Sequence, residues 1–324
     1  MSTDPNSSPA ETDLATAAHQ LLHEQTSEWP ALAGGYSSLH HVQMRSIEFD
    51  GFEIKLQYNP GRIISSIAKT DPKSLAGRRC FLCASNRPQQ QRGIEFGSRY
   101  TILCNPFPIF PEHFTVADRE HRPQAIDAGA RFRDLLDLAA AVGSKYVALY
   151  NGPQSGASAP DHMHFQAGSR SFLPLDGEYD RVKWPVRETN SLAIFRSESY
   201  LRGFIAFESA DRDAIVRAFA ALLNDPPGTE HEPMMNIIAS YEPSQHWRAV
   251  VFPRTRHRPS FYSAEGDERI LLSPASVEMG GVCTLPIERD FHRLTREHVV
   301  QMYEEVCKRD DATSQQCERI ANSI

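Results

Sequence analysis

Residues 160–168 read PDHMHFQAG, which sets His162, His164 and Gln166 at strict alternation. Successive side chains of a strand point to opposite faces, so these three polar groups share one side and Met163, Phe165 and Ala167 the other. The apolar trio predicts a core-facing side, and the polar trio a side that faces a cleft. Working outward, "KYVALYN" before it reads as a strand and "GPQSGASAP" as the loop between. "YTILCN" and "HFTVAD" read as two more strands around the proline-rich corner "PFPIFPE". Between them and the motif, residues 123–143 have helical spacing, with Ala128, Phe132, Leu135, Leu136 and Ala139 on one face.

The rest of the chain uses the same vocabulary. Residues 14–28 predict a helix carrying Leu14, Ala18, Leu21 and Leu22, and "FEIKLQYN" a strand. In the second half a helix is expected over 211–223, with Ile215, Phe219, Leu222 and Leu223 aligned. Strands "MMNIIASY" and "WRAVVFPR" follow, then a β-and-turn segment "ILLSPASVEMGGVCTLPI". The final helix groups Val299, Met302, Tyr303 and Val306. Strand pairs backed by one helix, twice over, predict an α+β fold with a weak internal duplication. The expected division is a disordered polar tail over 1–13, a first half over 14–175 and a second over 176–324.

Composition limits the function classes. With 324 residues, 40% hydrophobic and 23% charged, the chain can bury two ordinary cores. A formal net charge of −7 argues against broad binding to nucleic acid or an anionic membrane, while leaving room for a local basic pocket. No apolar run is long enough to span a bilayer, and "MSTDPNSSPAET" has no secretion signal, so the expected location is the cytoplasm.

Of six cysteines, only Cys80 and Cys83 have informative spacing: "CFLC" places two thiolates on one tight turn, half a zinc site. In "EHFTVADREH", His113 and His121 lie at opposite ends of a strand and cannot both reach one metal. Cys80, Cys83, His121 and His162 would make a closed, structural four-ligand set that anchors the motif through its first histidine. His113 is the alternative fourth ligand.

The alternating trio suits phosphoryl chemistry. A neutral imidazole is a good nucleophile near pH 7, and attack on phosphorus splits one displacement into two easier ones. A glutamine amide donates to a phosphoryl oxygen but cannot protonate a leaving group. Gln166 therefore favours a phosphate or pyrophosphate leaving group and argues against simple hydrolysis. Further along, Arg254, Arg256, His257 and Arg258 form a basic cluster fit for an incoming phosphate, and Glu278 could hold a sugar hydroxyl.

These segments resemble a known family. "HMHFQ" is similar to the H-x-H-x-Q signature of the transferase branch of the histidine-triad superfamily, which holds galactose-1-phosphate uridylyltransferase, diadenosine tetraphosphate phosphorylase and the GDP-hexose phosphorylases. "CFLCASN" resembles the zinc-binding segment of the uridylyltransferases, and "SGAS" the phosphate loop of the phosphorylases. "NPFPIFPEHFTVADREH", "VFPRTRHRP" and "SPASVEMGGV" are similar to other parts of that branch. Met163 stands where the uridylyltransferases carry proline, which counts against that exact activity.

The resemblance implies two histidine-triad-like halves, each an antiparallel sheet with packed helices, and a homodimer with its site near the subunit interface. It implies His164 as nucleophile, Gln166 on a non-bridging phosphate oxygen and His162 orienting the nucleophile through its backbone. Asn151, Ser155 and Ser158 would line the phosphates, with zinc as structural cofactor. The implied activity is a nucleotidyltransferase of the phosphorylase type. Its donor would be a nucleoside diphosphate sugar or dinucleoside polyphosphate, and its acceptor inorganic phosphate or a sugar 1-phosphate. The alternatives are a hexose-1-phosphate uridylyltransferase and a non-catalytic, zinc-stabilised nucleotide-binding protein.

Overall fold

The computed structural model describes residues 13–67, 71–225 and 232–324, so all of the expected tail except Asp13 lies outside the described residues. The strands, in chain order, are β1 Gln43–Glu48, β2 Glu53–Tyr58, β3 Gly93–Phe96, β4 Tyr100–Cys104, β5 His113–Asp118, β6 Tyr146–Asn151 and β7 His164–Ser169. They continue as β8 Lys183–Glu188, β9 Ala193–Ser197, β10 Ile205–Ser209, β11 Met235–Tyr241, β12 Trp247–Pro253 and β13 Val282–Leu285.

Ten strands form one antiparallel sheet in the order β3-β4-β5-β7-β6-β11-β12-β10-β9-β8. Read inward from each edge, the order is β3-β4-β5-β7-β6 on one side and β8-β9-β10-β12-β11 on the other. The same five-strand topology therefore occurs twice. A helix connects the third and fourth strand in each copy, Ala130–Ala141 and Arg212–Leu223. The copies do not keep separate sheets: β6 pairs with β11, with Ile237 opposite Tyr150 and Ile238 opposite Leu149. The fold class is α+β.

The period-2 pattern decides which face each layer covers. One face carries Phe114, Val116, Met163, Phe165 and Ala167, all buried, under the helices Leu14–Glu28, Ala130–Ala141, Arg212–Leu223 and Asp310–Ser323. Phe132 and Phe219 from the two connecting helices stack at 3.8 Å between centroids, joining the copies across this layer. On the opposite face, the second copy is covered by a smaller sheet, β1-β2-β13, and by the helices Pro174–Val182 and Arg296–Val306. The first copy's equivalent area, over β4, β5 and β7, is left for the site.

Three local expectations change. Residues 123–129 are not helical, and the helix starts at Ala130; Gln124 is drawn out of any helical pattern by its bonds to the β6 and β7 backbone. The β-and-turn segment 270–287 keeps one strand, β13, but a one-turn helix, Ser276–Met279, precedes it, and β13 pairs in parallel with β2. A further helix, Asp310–Ser323, follows the one expected to be last; its buried Thr313, Gln316, Cys317, Ile320 and Ala321 keep helical spacing, but two of the five are polar, which blurs the apolar face.

Candidate active site

The polar face of the motif is built where β7 begins. His164 pairs with Ala117, and Gln166 with Thr115, so only small side chains flank the two on the β5 side. Both line a cavity of about 490 Å³ that also takes in Arg62, Asn105, Thr115 and Ser158. The half-exposed rings of Phe81 and Phe107, 49% and 39% exposed, stand on the same walls.

His164 is held in one tautomer. Its Nδ1 lies 2.8 Å from the carbonyl oxygen of His162, which can only accept, so Nδ1 carries the proton and Nε2 keeps its lone pair. Burial pushes its pKa down to about 4 against the opposing pull of the bond to the His162 carbonyl, so the ring is neutral at pH 7. Gln124 braces the same residue: its Oε1 accepts from the His164 N–H at 2.8 Å, and its Nε2 donates to the carbonyls of His164 and Asn151 at 3.0 and 2.9 Å.

His162 turns away from the cavity into a cluster with Cys80, Cys83 and His121, whose ligand atoms all lie within 4.8 Å of one another. Its Nε2 donates to the Asp118 carbonyl at 2.8 Å, leaving Nδ1 free toward the sulfurs. The His121 and His162 Nδ1 atoms are 3.3 Å apart, and the S···N separations are 3.3, 3.3 and 3.6 Å. A tetrahedral zinc, with Zn–N about 2.0–2.1 Å and Zn–S about 2.3 Å, needs N···N near ~3.3 Å and S···N near ~3.5 Å. These four separations fit that geometry. Burial would raise the Cys80 thiol, but bonds to His162 and to the backbone of Leu82 and Cys83 bring it down to about 6. Burial and the adjacent Cys80 raise the Cys83 thiol, a conflict between neighbouring thiolates that a divalent cation removes.

His113, the alternative ligand, lies outside this cluster. It is fully buried, its Nδ1 accepts from the Ile109 N–H at 3.2 Å, and its Nε2 is 2.9 Å from Gln166 Oε1. Gly168, directly opposite His113, leaves room for the Phe110 ring: a Cβ there would come within 2.6 Å of it.

The other expected substrate-binding residues are placed differently. Ser158 lines the cavity, but Asn151 and Ser155 are buried behind it. Asn151 Oδ1 accepts from Asn236 Nδ2 and the Ser276 N–H, at 2.8 and 2.7 Å, fastening the loop to the second half. Arg256 is 56% exposed at its side chain and pairs with Glu305 at 3.0 Å. Arg258 donates to Ser273 Oγ at 2.9 Å and stacks over Tyr262. Glu278 is buried and accepts from the Ala275 and Thr284 N–H groups at 2.8 and 3.2 Å. These three are not among the residues that line the cavity.

Sequence reasoning passed over Arg62 and Gln124. Arg62 donates to the Phe107 carbonyl at 2.7 Å, and desolvation by the walls lowers its pKa to about 10. Among the described residues no carboxylate lies within ion-pair distance of it. Arg62 thus lines the same cavity as His164 and Gln166, and Glu278 offsets its charge only from further away. Nothing in "YNPGR" or "HRPQA" marks either residue, because each acts on groups far away in sequence.

Comparison with known proteins gives likenesses in sequence and in fold. Residues 21–169 match a family model described as a domain of unknown function, DUF4922. The chain has the fold of yeast Ap4A phosphorylase Apa2, with a TM-score of 0.54 and 14% identity over 88% of this chain and 94% of that one. The structure of the same phosphorylase in complex with Ap4A gives a TM-score of 0.51 at 15% identity, over 88% and 95%. In sequence, the chain is 23% identical over 211 residues to the galactose-1-phosphate uridylyltransferase of Staphylococcus saprophyticus. That match takes in 57% of this chain and spans 42% of the length of the relative.

Proposed function

We propose that this protein is a nucleotidyltransferase of the phosphorylase type, working through a covalent nucleotidyl-histidine on His164. The observation that carries the reading is the free Nε2 of His164 on the cavity wall, with Nδ1–H already committed to the His162 carbonyl. The donor is a nucleoside diphosphate sugar or a dinucleoside polyphosphate, with its base against Phe81 and Phe107 and its phosphates against Arg62, Gln166 and Ser158.

The steps need no proton transfer. His164 Nε2 attacks the α-phosphorus; an N–P bond forms and the bridging P–O bond breaks, its electron pair leaving with the sugar phosphate or nucleotide. The ring becomes an N-phosphoryl imidazolium, whose remaining Nδ1–H stays bonded to the His162 carbonyl. Inorganic phosphate then attacks the same phosphorus and returns the electron pair to Nε2. Gln166 suits this sequence because it donates to a non-bridging oxygen without delivering a proton. In the proposal, Cys80, Cys83, His121 and His162 would hold a structural zinc that would supply rigidity, and His162, so held, would keep in place the carbonyl that sets the His164 tautomer.

The test is to incubate the purified protein, without phosphate, with ADP-, GDP- and UDP-sugars and with diadenosine tetraphosphate, beside His164→Ala. Intact-protein mass spectrometry should find a nucleoside monophosphate adduct on the wild type and none on the variant. A folded wild type that forms no adduct with any donor overturns the proposal in favour of a nucleotide-binding protein.

A further inference from the structure

We infer that His113 is a positioning residue that sets which end of the Gln166 amide faces the cavity. The argument rests on the proposed reaction for what Gln166 does to substrate, but its geometry stands independently of it.

An amide is symmetrical in shape and opposite in function at its two ends: the oxygen only accepts and the nitrogen only donates. A phosphoryl oxygen needs the nitrogen. The choice is made behind Gln166. The Ile109 N–H points at His113 Nδ1, 3.2 Å away, so Nδ1 must accept. A neutral ring then carries its proton on Nε2, and the group 2.9 Å from that Nε2–H must be an acceptor, Gln166 Oε1. The NH₂ end is left for the cavity that Gln166 lines.

The residue is held through its backbone as well as its ring. Tyr36 Oη bonds both the N–H and the carbonyl of His113, at 3.0 and 3.2 Å. Phe110 packs edge-on at 5.1 Å between centroids. Burial, with the Arg62 cation adding to it, lowers the His113 pKa to about 3, so the ring stays neutral and does not become a second donor toward Ile109. A hydrogen bond between fixed partners thus transmits the direction of one backbone N–H to the polarity of a catalytic amide.

The experiment is a double-mutant cycle on adduct formation, with His113→Phe and Gln166→Ala, alone and combined. His113→Phe keeps an aromatic ring against Phe110 and removes both hydrogen bonds. It should slow adduct formation ~10–100-fold, the worth of one hydrogen bond to a charged oxygen, with donor affinity within about 3-fold of wild type. In the Gln166→Ala background it should cost less than about 2-fold, because its partner is already gone. Additive losses, or a His113→Phe rate equal to wild type, overturn the inference.

Nitrogen NMR of ¹⁵N-histidine-labelled wild type at pH 7 supplies a readout that needs no variant. The His113 signal should report a neutral ring protonated at Nε2; an Nδ1–H tautomer or an imidazolium overturns the inference even if the variants do not fold. A wild type without any adduct counts against the proposed reaction. An adduct-forming wild type with an additive cycle counts against the role of His113 alone.

Discussion

His164 donates its Nδ1–H to the backbone carbonyl of His162 at 2.8 Å, while the His162 ring turns toward Cys80 and Cys83. One residue therefore joins the cysteine cluster and the cavity: its ring belongs to the first and its carbonyl orients the second. A carbonyl acceptor fixes the tautomer without placing a negative charge beside an incoming phosphate, which a carboxylate would do.

Metal content should follow the cysteine cluster. Wild-type protein is expected to carry about one zinc per chain, and Cys83→Ser to lose it, measured by atomic emission after dialysis. Chelation or the substitution should lower Tm by several degrees and slow adduct formation together. A metal-free wild type with unchanged Tm would exclude a structural zinc.

Gln124→Leu preserves bulk while leaving the buried N–H of His164 and two carbonyls without their partner. An unsatisfied buried group costs about 1–3 kcal/mol, so the variant should melt clearly below wild type and form adduct about 10-fold more slowly. Thermal melts and adduct kinetics on one preparation check both halves of this expectation. Equal melting and equal rates would mean that the brace is not needed.

Arg62→Gln removes a cation that has no carboxylate at ion-pair distance among the described residues. Charge-assisted bonds are worth about 1.5–3 kcal/mol, so nucleotide affinity by titration calorimetry should fall about 10–100-fold. Tm should hold or rise, since a desolvated charge is relieved. Unchanged affinity would take Arg62 out of the phosphate contacts.

Glu232 gives a pH signature. Its carboxylate accepts from Tyr150 Oη at 2.9 and 2.8 Å and from the Ile126 N–H at 2.8 Å, and burial raises its pKa from 4.5 to about 7. A pKa raised in the folded state contributes stability that is complete below the unfolded value and lost as pH rises through the folded one. The contribution should therefore fade between about pH 5 and 8. Glu232→Gln should gain Tm relative to wild type as pH rises from 6 to 8.5 in calorimetric scans. A constant difference across that range would contradict the raised pKa.

Much of this was legible in the chain. The alternation at 163–167 places Met163, Phe165 and Ala167 in the helix-covered core, and the 3.6-residue spacing at 14–28 and 211–223 matches helices Leu14–Glu28 and Arg212–Leu223. The CxxC turn and the two histidines expected to complete it do lie together. Asn151, at the end of β6, and Ser155, in the loop after it, were not legible in the same way. The polar side chain of Asn151 reads as ligand contact, yet its Oδ1 accepts from Asn236, 85 residues away in sequence, and the same Asn236 amide donates to the backbone carbonyl of Ser155.

The sequence by itself determined what is periodic and local: which residues share a face, where helices run, and which side chains carry nucleophilic and metal-ligating chemistry. Such patterns depend on backbone geometry over a few residues. Tertiary structure alone decided that β6 and β11 join two five-stranded copies into one sheet, and that only one copy keeps its outer face open for a site. It also decided that His113 holds Gln166 across 53 residues rather than binding metal. Those outcomes depend on strand pairing and register between distant segments, where one hydrogen-bond partner sets what a side chain presents to its neighbour.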